Sequence, residues 1–211
     1  MADEVPLPPA LERHWLDALP AARRAQLLAW PDARARHRSL LGSRLLLNGL
    51  HACGFTTQGL ASLHYPSNGK PALDLPVAFS LSYCEGRVLC ALSMDAAIGV
   101  DVESTATPIR AAGFRHYLSA AERHWAGESP QRFYSLWTRK EAVVKAAGAG
   151  LAQLHLAETL DQNRARYDDR LWHTLEIALG PPQYVAHLAT LRSKSKLLLE
   201  QARFSELNPN D

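Results

Sequence analysis

Twice along the chain a long helical stretch is followed by short strand candidates separated by glycine- or proline-bearing turns, at an offset of roughly one hundred residues. After the Trp30-Pro31 break, Asp32 can cap a helix that stops at Gly54, with Leu41, Leu45 and Ala52 on one face and Leu40 and Leu47 beside it. A shorter helix is expected between Pro20 and Trp30. The stretch from Phe55 to Pro76 carries Gly59, Pro66, Asn68-Gly69 and Pro71, and reads as mostly loop. Val77 to Tyr83, Arg87 to Met94 and Ile98 to Glu103 then read as three strands of an antiparallel meander, set apart by Cys84-Glu85-Gly86 and Asp95-Ala96-Ala97. In the second half, Ser119-Ala120-Ala121-Glu122 has the spacing of a capping box. A long helix is expected from Ser129-Pro130 to Gly148, and two strands, Trp172 to Leu179 and Tyr184 to Leu191, flank Gly180-Pro181-Pro182. The expected fold class is α+β: two similar α/β subdomains in a pseudo-two-fold arrangement, each a long helix packed on a small antiparallel sheet. They are divided as residues 1–101 and 102–211, without a residue-level repeat.

Several function classes drop out early. No apolar run approaches the ~20 residues that span a bilayer, and Met-Ala-Asp-Glu-Val-Pro lacks the basic-then-apolar layout of a secretory signal. A cytoplasmic protein with no membrane partner is expected. Cys53, Cys84 and Cys90 are odd in number and form no C-x-x-C pair, so neither a disulfide framework nor a zinc ribbon is suggested. A net charge of +2 is too small to imply nucleic acid. Its distribution is more informative: Arg34, Arg36, Arg38 and Arg44, with His37 among them, form a local basic patch suited to phosphate or an acidic protein surface.

The segment Gly99-Val100-Asp101-Val102-Glu103 carries the chemistry. Residues two apart on a strand point to one side, so Asp101 and Glu103 share a face while Val100 and Val102 face the core. Two hard oxygen donors on a strand, next to a flexible Gly99, suit Mg²⁺; the same pattern also fits a half-buried strand whose solvent face is acidic. On the second long helix, Trp137, Glu141, Lys145 and Gly148 recur at helical spacing and lie on one stripe. Glu141 and Lys145 there also fit an ordinary ion pair one turn apart.

Together these two segments resemble the signatures of the 4′-phosphopantetheinyl transferases. The first matches Gly-Val/Ile-Asp-Val/Ile-Glu. Trp137-Thr138-Arg139-Lys140-Glu141-Ala142 through Leu151 matches W-x-x-K-E-A/S-x-x-K-x-x-G-x-G-L. Asn68-Gly69-Lys70-Pro71 and Phe79-Ser80-Leu81-Ser82 resemble the family's G-K-P and F-N-x-S-H-S segments, and Arg38-Ser39-Leu40-Leu41-Gly42 resembles an Arg-bearing helix near its N-terminus. The resemblance runs from Arg34 to Leu151. Chain length and element order resemble the larger, pseudo-dimeric type similar to the surfactin-synthetase activating enzyme. Two positions depart from the pattern: Tyr83 stands for the usual His, and Ser80 for the Asn.

The resemblance implies an enzyme of the holo-acyl-carrier-protein synthase type. It would transfer the 4′-phosphopantetheine arm of coenzyme A to a serine of an apo carrier protein (acyl, peptidyl or polyketide) and release adenosine 3′,5′-bisphosphate. Asp101, Glu103 and Glu141 would hold Mg²⁺, with Glu141 as ligand or as base, and Lys145 would neutralise the pyrophosphate. Lys70 and Lys140 would meet other phosphate oxygens, Arg38 the 3′-phosphate with Arg34 or Arg36 as substitutes, and Tyr83 the coenzyme. A monomer is expected. Ser119 and Glu122 are explained by helix capping alone. The alternatives are an Mg²⁺-dependent phosphohydrolase using the same carboxylates on a coenzyme A-like pyrophosphate, and a coenzyme A-binding protein without catalysis.

Overall fold

Helix starts and stops follow the capping chemistry. The computed structural model describes residues 1–3, 7–55, 57–66, 69–106, 111–180, 183–193, 197–202 and 207; Asn68, Pro181 and Pro182 lie outside them. Asp32 accepts the Arg34 backbone N–H at 2.9 Å and opens α3 (Ala33–Ala52). Two shorter helices precede it: α1 (Pro9–Asp17), which the pattern did not announce, and α2 (Ala21–Leu28) behind Pro20. Ser119 and Glu122 make the reciprocal bonds of a capping box at α4 (Ala120–Ala126). Ser129 caps α5 (Pro130–Ala147), which stops at Gly148 with φ +74°, a backbone that glycine adopts without strain.

β2 (Ala78–Cys84) and β3 (Arg87–Ser93) form the expected hairpin, and β1 (Ala2–Asp3) pairs with β3 at Arg87 and Val88. The next strand corrects the expected three-stranded meander. β4 (Ile98–Ser104) pairs not with β3 but with β8 (Tyr184–Thr190), placing Asp101 opposite His187. The second sheet runs β4-β8-β7-β6-β5, antiparallel throughout, with β5 (Glu158–Thr159), β6 (Arg164–Tyr167) and β7 (Arg170–Glu176). The turn between β6 and β7 places Asp168 and Asp169 at φ +53° and +54°, the positive-φ pair that a tight hairpin needs.

β3 has β2 on one edge and β1 on the other, so β4 finds its ladder elsewhere. Its second edge meets β2 through side chains: Ser80 Oγ and Ser82 Oγ accept the Val100 and Val102 N–H groups at 3.1 and 3.3 Å. Those hydroxyls satisfy backbone donors that would otherwise be buried without partners. The division drawn between residues 101 and 102 runs through β4.

Each sheet carries one long helix. Leu40, Leu41, Leu46 and Leu50 of α3 pack with Trp15, Leu27, Phe79 and Val88. On the other side, Phe133, Tyr134, Val143 and Val144 of α5 pack with Ala165, Trp172, Val185 and Ala189. Val100 and Val102 join Leu89, Ala91, Ile177 and Leu188 in a third cluster at the seam. Full burial of one such side chain contributes about 1.5–3 kcal/mol. The architecture is α+β with antiparallel sheets, and no described helix is long and apolar enough to cross a membrane.

Candidate active site

The site begins with a glycine. A Cβ on Gly99 would lie 2.0 Å from the Ala142 carbonyl and 2.5 Å from the Ala146 nitrogen, so α5 crosses β4 in backbone contact. The sequence reading valued Gly99 for flexibility; its function in the fold is this close approach. Asp101 and Glu103, on the same strand face, therefore lie directly beneath Glu141 and Lys145.

Asp101, Glu103 and Glu141 offer ligand oxygens that all lie within 4.8 Å of one another. Asp101 is 2% exposed and Glu141 7%. Lys145 Nζ lies 2.5 Å from Asp101 Oδ1 and 3.3 Å from Glu141 Oε2, and donates to Ser82 Oγ at 3.2 Å. Burial and the neighbouring Asp101 charge push the Glu103 carboxyl up to about 7, against the opposing pull of Lys145 and a hydrogen bond from Trp137. Burial and the Asp101 carboxylate likewise push Glu141 well above the usual carboxylate range. Burial lowers the affinity of Lys145 for its proton, but the facing carboxylates outweigh it and raise the ammonium above its ordinary value. Three carboxylates thus face one ammonium, and Asp101 Oδ2 is buried without a donor. Hard oxygen donors at this spacing, one of them orphaned, fit a divalent ion of the Mg²⁺ class.

The other residues singled out in the sequence scatter. Lys140, expected to meet phosphate, is 1% exposed and its ammonium bonds Glu122 Oε2 at 2.8 Å. Lys70 donates to the Ile98 and Ala146 carbonyls at 3.2 and 3.3 Å, tying the start of β4 to the end of α5. Burial drops its ammonium to about 8. Tyr83 is exposed at the end of β2, next to Tyr65. Arg38 is half-buried on α3.

The basic patch is divided by other partners. Arg36 and His37 both pair with Glu12 of α1, at 2.6 and 3.3 Å. Arg44 is buried over the Trp15 ring, and burial lowers its guanidinium to about 10. Arg23, unremarked in sequence because no motif surrounds it, donates to Ser39 Oγ at 2.6 Å beside Arg38. Its guanidinium lies 5.4 Å from the Trp30 ring and 5.0 Å from that of Tyr65. Arg23, Trp30 and Tyr65 thus form an aromatic and cationic corner against Ser39 of α3.

A family model described as the 4′-phosphopantetheinyl transferase superfamily matches residues 97–193. That span holds the three carboxylates and Lys145; Arg38, Lys70 and Tyr83 precede it. The 4′-phosphopantetheinyl transferase AcpT of Salmonella typhi is 30% identical over 171 residues, covering 74% of this chain and 82% of its own length. The 4′-phosphopantetheinyl transferase HetI of Nostoc sp. is 30% identical over 146 residues, 64% of this chain and 61% of its own. The 4′-phosphopantetheinyl transferase Sfp of Bacillus subtilis is 31% identical over 123 residues, 55% of this chain and 54% of its own. The chain therefore spans less than two thirds of the length of the Nostoc and Bacillus relatives.

Proposed function

The chain belongs to the 4′-phosphopantetheinyl transferase family, and we propose that it transfers the 4′-phosphopantetheine arm of coenzyme A to a serine of an apo carrier protein. The observation that carries this reading is the buried cluster of Asp101, Glu103 and Glu141 beside Lys145, inside the matched span. Asp101, Glu103 and Glu141 are the residues that would hold Mg²⁺, which when bound neutralises the pyrophosphate and polarises its phosphorus. Where Glu141 serves as base rather than as ligand, its carboxylate accepts the serine proton as the serine oxygen bonds to phosphorus. The bond from that phosphorus to the bridging oxygen breaks, and the electron pair leaves with adenosine 3′,5′-bisphosphate. Lys145 places its ammonium against the charge gathering on the phosphates. Arg38 and Tyr83, joined by Arg23, receive the nucleotide end of coenzyme A, and Lys70 holds β4 and α5 together beside the carboxylates.

The two sheet-and-helix halves correspond to the two subdomains of the larger, pseudo-two-fold type, acting as a monomer. Their divide follows the β2–β4 seam, at the turn before Ile98. The relatives above are all named as transferases, which favours transfer to a carrier over hydrolysis. The test is chromatography of adenosine 3′,5′-bisphosphate from coenzyme A and Mg²⁺, with and without an apo carrier. Carrier-dependent release is expected; equal release without carrier would indicate the phosphohydrolase.

A further inference from the structure

Ser82 lies where the two sheets meet, 5% exposed, and every hydrogen-bonding position of its hydroxyl is engaged. The one O–H donates to Asp101 Oδ1 at 2.8 Å. The oxygen accepts from the Val102 N–H at 3.3 Å and from Lys145 Nζ at 3.2 Å. Ser80, two residues earlier on the same strand face, accepts the Val100 N–H at 3.1 Å and, among the described residues, bonds no carboxylate. The two serines thus share one duty, satisfying the edge of β4. Ser82 alone extends it to Asp101 and Lys145.

We propose that Ser82 is a positioning residue for the chemistry of this site. The inference rests on the transferase reading above. With Oδ1 held by the Ser82 hydroxyl and the Lys145 ammonium, the Asp101 carboxylate cannot rotate, and its donor-free Oδ2 stays available to the cluster. The same hydroxyl accepts from Lys145, whose ammonium also lies 3.3 Å from Glu141 Oε2. An alanine leaves Asp101 Oδ1 with Lys145 as its partner and lets the carboxylate turn, so both the ligand set and the ammonium lose their orientation. Partners that orient metal ligands in this way typically change metal affinity about 10–100-fold.

The experiment compares Ser82→Ala with Ser80→Ala and Ser82→Thr by calorimetric titration of the purified protein with Mg²⁺ alone, alongside kcat and KM for coenzyme A. Ser80→Ala loses one hydrogen bond and Ser82→Ala three, so both should melt below the parent and Ser82→Ala the lower of the two. Ser82→Ala should bind Mg²⁺ about tenfold more weakly, with kcat reduced and KM little changed. Ser80→Ala and Ser82→Thr, which keep the hydroxyl at position 82, should titrate like the parent. Ser82→Cys serves if the alanine variant does not fold: a thiol is a poor donor that hard Mg²⁺ ignores, and weakened binding is again expected. Coincident Mg²⁺ isotherms for Ser82→Ala and Ser80→Ala would overturn the proposal while leaving the metal site intact. A parent that takes up no Mg²⁺ would overturn the metal reading and this inference together.

Discussion

Helix α5 carries two buried lysine–carboxylate assemblies, and they have opposite characters. At Lys140 one ammonium meets one carboxylate. Glu122 accepts from Lys140 at 2.8 Å, from the Ser119 N–H at 2.8 Å and from the Thr159 N–H at 3.2 Å. Burial alone would push Glu122 up, but these bonds outweigh it and hold the carboxyl below its ordinary range. At Lys145 one ammonium pairs with two carboxylates, Asp101 and Glu141, and Glu103 adds a third negative charge to the cluster. There burial and mutual repulsion win, and both Glu103 and Glu141 are held above the ordinary range. Burial is common to the two assemblies; the number of donors per carboxylate oxygen decides the sign. The first assembly clamps α4, β5 and α5 together. The second holds an excess of negative charge that a divalent cation relieves.

The widest separation between the two should come from removing one carboxylate in each. Glu122→Ala leaves Lys140 buried without its partner and should destabilise the fold by about 3–5 kcal/mol. Asp101→Ala should leave the melting temperature in chelator equal or higher while transfer is lost. Denaturant melts and a transfer assay on both variants check the pair. If Asp101→Ala unfolds the protein, or retains near-parental transfer, the two assemblies do not differ as described.

A second comparison exchanges charges. An exposed pair one helical turn apart contributes only ~0.3–0.5 kcal/mol and tolerates reversal. The double variant Glu141→Lys with Lys145→Glu should instead reduce transfer to background, because position 145 would then set a carboxylate against Asp101. Parental activity in that variant would reduce the Lys145 assembly to an ordinary ion pair.

The pH response should carry the same signature at smaller amplitude. The folded chain binds the Glu103 proton more tightly than the unfolded chain, with its carboxyl at about 7 against 4.5. Stability therefore falls as pH rises from 4.5 through about 7, by on the order of 2–3 kcal/mol. His187 slopes the other way: burial and the nearby Arg139 lower it to about 3, so its contribution is lost as pH falls below 6.5. The difference between parent and Glu103→Gln removes the His187 part. Melts across this range should show a falling slope in chelator that is shallower in Glu103→Gln, where Glu141 still contributes in the same direction, and that Mg²⁺ flattens; parallel curves of parent and variant would contradict it.

The smallest expected effect is at Tyr83, the exposed neighbour of Ser82 on β2. Tyr83 is 45% exposed and beside Tyr65. A charged donor exceeds a neutral one by about 1 kcal/mol. Tyr83→His should therefore raise the kcat/KM preference for coenzyme A over its 3′-dephospho form severalfold below about pH 6.5, where the imidazole is charged. An unchanged preference at low and high pH would make Tyr83 a packing residue.

The contrast also marks what the sequence could disclose. Asp101 and Glu103 on one strand face, the α5 stripe and the caps at Asp32 and Ser119 were legible because each depends on residues a turn or a pleat apart. Three-dimensional partners were not. Lys140 reads like Lys145 until Glu122 is folded against it, and Arg36 reads as free until α1 brings Glu12. Alternation marked β4 as a strand but carries no information about which edge it takes, so its pairing with β8 was missed. Ser82 was legible only as part of the Phe79-Ser80-Leu81-Ser82 segment, with no role of its own. Its importance lies in a hydroxyl that bonds across the seam.

Intact mass of an apo carrier protein, after incubation with coenzyme A, Mg²⁺ and either parent or Asp101→Ala, tests the central claim most directly. The account predicts that the parent adds one phosphopantetheine arm at the carrier serine, and that chelator or Asp101→Ala abolishes the gain with the fold intact. An unmodified carrier with the parent, or transfer that persists in chelator and in the variant, would contradict it.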